Sequence, residues 1–228
     1  LHCSGNKLSN LNGLFNCTSL QILYCWINQL SNLDGLSNCT SLQVLDCSHN
    51  RLRDLNGLSN CASLQKLNCS YNKLSNLDCL SNCASLQELD CSLNQLNNID
   101  GLSDCNSLKE LDCSHNQLSG LNCLSGCTFL RELFCYDNKL SNLDCLSSCT
   151  SLQRLYCHNN QLTTLLPIRN LRNLIYVDYI NNPFEGPHHP AVLRILDGNK
   201  NINNTIYSDS QNVHDSEITR SVNTSINN

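Results

Sequence analysis

The stretch Leu20–Ser41, LQILYCWINQLSNLDGLSNCTS, is one copy of a unit that this chain repeats every 22 residues. Within it Leu23, Tyr24 and Cys25 alternate inward, outward, inward, the period-two signature of a strand with one buried face. From Leu30 onward the apolar residues fall at every third position (Leu33, Leu36, Cys39, Leu42), which suits a 3₁₀-like return with its inward side chains eclipsed. The strand cysteine recurs as Cys3, Cys25, Cys47, Cys69, Cys91, Cys113, Cys135 and Cys157. Three residues after each stands an asparagine: Asn6, Asn28, Asn50, Asn72, Asn94, Asn116, Asn138 and Asn160. A fixed period of this length marks a solenoid, each unit burying its apolar face against its neighbours.

Stacked coils place their strands side by side in a parallel sheet, about 4.8 Å apart, so eight coils extend on the order of 40 Å. Where the chain leaves each strand, turn amides and carbonyls face inward and need partners. A side-chain amide offers donors and an acceptor together, so the asparagine column is assigned a structural role, serving the turns of its own coil and the next.

The form LxxLxCxxNxL, read over Leu20–Leu30, resembles the leucine-rich repeat family, with cysteine in place of the usual third leucine. The resemblance runs over residues 1–184. It implies an α/β fold: a right-handed solenoid arc with a parallel β-sheet on its concave face and 3₁₀ or turn segments on its convex face. It also implies a protein-binding role. In composition, the Asn and Ser enrichment with cysteine in the strand is similar to repeat proteins of giant viruses of amoebae.

The net charge of −5 disfavours attraction to a phosphate backbone, so no nucleic-acid partner is expected. No apolar run approaches membrane-spanning length, and no membrane association is expected. The chain contains no methionine and starts inside the strand pattern at Leu1, so it is read as part of a longer product. Eighteen cysteines would suggest a disulfide framework in a short secreted chain. Here Cys25, Cys47, Cys69, Cys91, Cys113, Cys135 and Cys157 take buried strand positions, and Cys17, Cys39, Cys61, Cys83, Cys105, Cys127 and Cys149 take buried positions in the return. Buried, reduced thiols are the expectation, and with them an intracellular, reducing compartment. Cys79, Cys123 and Cys145 stand where Gly13, Gly35, Gly57 and Gly101 occur in other coils. Zinc on Cys123, Cys127, Cys145 and Cys149 is the alternative to core packing there, but the spacing matches no zinc motif and no metal or other cofactor is expected.

Function is sought where one coil departs from its siblings. Ile22, Tyr24, Trp26 and Ile27 replace residues that are mostly polar elsewhere, and Phe134, Tyr136, Tyr156 and His158 do so in two adjacent coils. Large rigid aromatics on a soluble surface suit interface hot spots. The other reading of the first cluster is packing against preceding coils. Between the clusters lie Glu88, Glu110 and Glu132 in one column and Asp46, Asp90 and Asp112 in another. Like charges across neighbouring strands destabilise a sheet, so a partner with a basic surface is one reason to retain them, and a merely solvated face the other. Lys109 and Arg131 are expected to relieve part of the repulsion. No glycine-rich phosphate loop or nucleophile–base pair is visible, and no catalysis is expected.

The period fades after Leu174, and Asn182-Pro183 closes the last coil. Ala191–Leu196 forms a short apolar run, so 185–198 are expected to cap the solenoid and the Asn/Ser/Thr-rich 199–228 to be disordered. The chain therefore reads as a non-catalytic scaffold that binds another protein on its concave face. The alternatives are a self-assembling architectural or virion component and a recognition arm for a catalytic domain absent from this chain.

Overall fold

A computed structural model describes residues 1–184. The expected cap (185–198) and tail (199–228) lie outside the described residues. Eight strands, β1 (Ile22–Tyr24), β2 (Val44–Asp46), β3 (Lys66–Asn68), β4 (Glu88–Asp90), β5 (Glu110–Asp112), β6 (Glu132–Phe134), β7 (Arg154–Tyr156) and β8 (Tyr176–Asp178), form one open parallel sheet in chain order. Every pairing keeps the sequence period, as Leu23 opposite Leu45 and Leu45 opposite Leu67 show. A bridge between His2 and Tyr24 extends the sheet beyond β1.

Each strand is three residues long and buries only its middle residue, Leu23 through Leu155 and finally Val177. The strand cysteines from Cys25 onward are fully buried one step later. The return is built as the three-residue apolar spacing suggests. Leu36 N–H bonds to Leu33 O, Cys39 N–H to Leu36 O and Leu42 N–H to Cys39 O, a chain of i→i−3 turns that turns one leucine or cysteine inward at each step. Regular 3₁₀ geometry is confined to three to five residues per coil, such as Asp34–Leu36 and Asp78–Asn82.

The asparagine column brackets neighbouring coils. Asn72 Nδ2 donates to the carbonyls of Cys69 and Ser70 in its own turn and to Cys47 O in the coil before, each at 3.1 Å. Its Oδ1 accepts the amide of Leu52, again in the preceding coil, at 2.9 Å. The same set recurs at Asn28, Asn50, Asn94, Asn116, Asn138, Asn160 and Asn182. The bracket reaches back to the preceding coil, not forward to the next as the sequence suggests. The residue before each asparagine pays for this turn with a left-handed backbone: Ile27, His49, Tyr71, Leu93, His115, Asp137, Asn159 and Asn181 all have φ between 50° and 56°. For side chains such as Ile27 that conformation costs about 1–2 kcal/mol, so the surrounding bonds must impose it.

Glycine and cysteine at the shared return position build two kinds of coil. A Cβ at Gly35, Gly57 or Gly101 would fall on the backbone carbonyl of the coil before, that of Leu11, Leu33 or Leu77. Those coils have three-residue 3₁₀ segments. Where Cys79, Cys123 and Cys145 supply a side chain, the segment lengthens to five residues, Asp78–Asn82, Asn122–Gly126 and Asp144–Ser148. All eighteen cysteines are free thiols. Burial pushes Cys61 and Cys105 up to about 12 and Cys83 up to about 11, and it also raises the fully enclosed strand thiols such as Cys69 well above the ordinary thiol value. Such thiols stay protonated and inert near neutrality.

The expected outcome of Gly57→Ala is a loss of about 2–4 kcal/mol, because the methyl meets backbone that cannot rotate away. Cys145→Ala removes only a half-buried thiol and should cost about 1 kcal/mol. Urea midpoints of the two variants, compared with the parent chain, check the contrast.

Candidate functional site: the strand-lined face

The outward side chains of the sheet form columns that run across the strands. The first strand position reads Ile22, Val44, Lys66, Glu88, Glu110, Glu132, Arg154, Tyr176. The third reads Tyr24, Asp46, Asn68, Asp90, Asp112, Phe134, Tyr156, Asp178. Two residues beyond stand Trp26, Ser48, Ser70, Ser92, Ser114, Tyr136, His158 and Ile180.

The second and third of these columns change together. In the polar coils the carboxylate or amide oxygen accepts both the amide and the hydroxyl of the serine two residues on. For Asp90 these bonds from Ser92 are 3.0 and 2.6 Å, and Asp46–Ser48, Asn68–Ser70 and Asp112–Ser114 repeat them. The aspartates of the acidic column thus close their own loops, a role the sequence reading did not give them. Burial pushes the Asp90 carboxyl up despite hydrogen bonds from Ser92 and Ser70. In three coils both members of the pair become aromatic, Tyr24 with Trp26, Phe134 with Tyr136 and Tyr156 with His158, while in the last coil Asp178 accepts from Ile180 only its amide.

These replacements make two aromatic patches. Near the amino end, the His2 ring lies 5.7 Å from Tyr24 and 6.4 Å from Trp26. Ile22 and Ile27 stand exposed beside them. Toward the other end Phe134 stacks on Tyr156 at 4.5 Å and Tyr136 on His158 at 4.4 Å. This patch is wider than the four residues read from sequence. Tyr176 joins it 4.9 Å from Tyr156, and His115 packs edge-on to Tyr136 at 5.1 Å. His115 and His158 therefore both contact the Tyr136 ring although they sit two coils apart. His158 Nδ1 also lies 3.0 Å from Asp178 Oδ2, and His115 Nδ1 3.4 Å from Asp137 Oδ2. Tyr176 follows Arg154 in the first column, so adding the period to the aromatic positions does not reach it, and only the lateral contact reveals it.

The glutamate column is flanked by bases in its own register. Lys66 Nζ is 2.8 Å from Glu88 Oε1, and Arg154 Nη1 is 3.4 Å from Glu132 Oε2. These two, not Lys109 and Arg131, offset the repulsion. Lys109 instead donates to Gln87 Oε1 at 2.7 Å. Glu110, in the middle and exposed, has no ion pair among the described residues. Partial burial, then Glu132 and Glu88, raise its carboxyl pKa above the usual range. Among the described residues no group of three or more His, Cys, Asp or Glu is placed to hold a metal ion, Cys123, Cys127, Cys145 and Cys149 included.

Six overlapping matches to a family model described as leucine rich repeats (2 copies) together span residues 18–172. The chain belongs to the leucine-rich repeat family. No curated protein matches it significantly. Internalin C2 of Listeria monocytogenes is similar in structure, with TM-score 0.75 at 27% identity over 78% of this chain and 80% of that one. The functional domain of InlJ from Listeria monocytogenes, which includes a cysteine ladder, has TM-score 0.65 at 28% identity over 82% of this chain and 45% of its own. The plant peptide hormone receptor RGFR1, solved in complex with RGF2, has TM-score 0.71 at 26% identity over 82% and 32%. This leucine-rich repeat chain thus spans most of internalin C2 but under half of the other two. Among its described residues no helix is long and apolar enough to cross a membrane.

The raised Glu110 pKa has a definite sign in stability. The folded chain holds this proton to higher pH than the unfolded chain, so the contribution falls as pH rises from about 4.5 through the folded value. Glu110→Gln should match the parent in thermal midpoint at pH 3.5 and exceed it at pH 7. Paired melts at the two pH values check this.

Proposed function

We propose that this leucine-rich repeat chain is a non-catalytic recognition module that binds a protein or peptide partner on its strand-lined face. The observation that carries the reading is the joint replacement of Asp–Ser pairs by aromatic pairs. A coil that exchanges Asp46 and Ser48 for the equivalents of Tyr24 and Trp26 loses two hydrogen bonds within its own loop. It gains partly exposed rings that the core does not use. A surface that gives up local bonds for broad rigid rings is of the kind that anchors a partner. The structural relative RGFR1, solved with RGF2, supports the same class of role.

The partner's basic character is supported by the Glu88–Glu110–Glu132 column, in which two flanking bases meet three acids. A reducing compartment is supported by eighteen free thiols, most of them buried. The finer likeness to repeat proteins of amoebal giant viruses stays a reading of composition.

The test is affinity purification from the native cell, with the parent chain and a Trp26→Ala/Tyr136→Ala double variant as paired baits. Both substitutions lie on the face and leave the leucine core intact, so circular dichroism and the thermal midpoint should change little. Partners identified by mass spectrometry should be depleted at least tenfold on the double variant. Equal recovery on both baits would sink the proposal. Sedimentation of the pure chain separates it from self-assembly, which would give concentration-dependent growth without a partner.

A further inference from the structure

The first outward column carries a charge sequence that narrows the partner's chemistry. From β3 to β7 it reads Lys66, Glu88, Glu110, Glu132, Arg154, each side chain one strand step from the next. The outer acids are paired and, among the described residues, the central Glu110 has no ion pair. Its neighbours on the face add no cation: Asp112, two residues on in the same strand, and Asp90, diagonal to it on β4, each accept from their own serines. The column is thus one positive charge short, at one place.

Beside that place the Phe134–Tyr156 stack provides an apolar platform. From Glu110 to the middle of the stack is one and a half strand steps across the sheet and two residues along it, about 10 Å in all. Three residues of a polyproline-II-like extended segment, about 3.1 Å each, span about that distance and bring side chains i and i+3 to the same side. Stacked rings bind apolar or aromatic side chains without demanding a single geometry.

Resting on the reading that this face binds a partner, we infer that the partner presents an extended segment with one arginine or lysine, set on Glu110, and an aromatic or large aliphatic residue three positions away, set on the Phe134–Tyr156 stack. The flanking Lys66 and Arg154 give the segment a limit as well as an anchor. A run of several adjacent cations would place its outer charges next to these bases and lose part of what the central contact contributes. The segment is therefore singly cationic at this point and not polybasic.

The test uses a phage-displayed library of seven random residues, selected on the intact purified chain at moderate salt. Enriched sequences should carry one arginine or lysine with an aromatic or leucine three positions away. A synthetic peptide of the consensus should bind the Glu110→Gln variant on the order of tenfold more weakly, as loss of one charged contact in a partly exposed site implies. Phe134→Ala should weaken it similarly. Glu110→Gln is expected to fold at least as well as the parent, and its melting curve is the control. Enriched sequences without a cation, or a peptide affinity unchanged in Glu110→Gln, would overturn the inference. If such cation-free peptides still fail to bind the Trp26→Ala/Tyr136→Ala variant, the recognition face stands and only the partner chemistry fails. Absence of any enrichment overturns the inference too, and the paired-bait comparison then decides separately on the face.

Discussion

A strand of three residues cannot hold itself, and every other feature of this molecule follows from how that shortage is met. Each strand survives because the next coil returns after one period and lays an equivalent strand beside it in register. The constraint is that like must meet like. A leucine column packs into a continuous core and an asparagine column brackets the turns, whereas a glutamate column repels itself. Duplication of a coil therefore copies its strengths and its conflicts together, and the outward face shows where the conflicts were tolerated.

The interior was almost wholly legible. The alternation at Leu23–Cys25 and the three-residue apolar steps from Leu30 prescribe the strand and the turns that are seen. Register needed no guess, because the period allows only one pairing that keeps every buried leucine inside. Two local features were not legible. The left-handed residue before each asparagine is His, Asp or Asn in five coils, types that favour that conformation, but Ile27, Tyr71 and Leu93 carry no such preference. There the conformation is imposed by the bracket from outside. The substitution of cysteine for glycine in the return looked like a question about thiol chemistry. It is a question of backbone clearance, since the side chain accompanies a longer 3₁₀ segment.

The face was legible in its parts and not in their partnerships. Both aromatic clusters and the acidic columns stand out from the repeat, but their neighbours across the sheet decide what they are. Glu88 and Glu132 are balanced by Lys66 and Arg154, each one period away, while the sequence neighbour Lys109 turns to Gln87. Asp46, Asp90 and Asp112 looked like a second acidic stripe. They are loop closures whose signal, an Asp-x-Ser triplet, was present in the sequence all along. On this fold the useful neighbour list is the residue number plus or minus one period, and residues adjacent in the chain face opposite ways.

The direction of the asparagine bracket gives assembly a sense. A coil leaving the ribosome carries, at the end of its strand, the side chain that closes its own turn and grips the coil already made. The asparagine grip does not wait for the segment still to be synthesised, although the strand amides such as Cys47 N–H find their carbonyls only in the coil that follows. Growth from the amino end thus closes each side-chain bracket first and the sheet bonds one coil later, and each finished coil presents backbone for the next asparagine to find. Run from the carboxyl end, the same chain would have to hold its grips open until the receiving coil had formed.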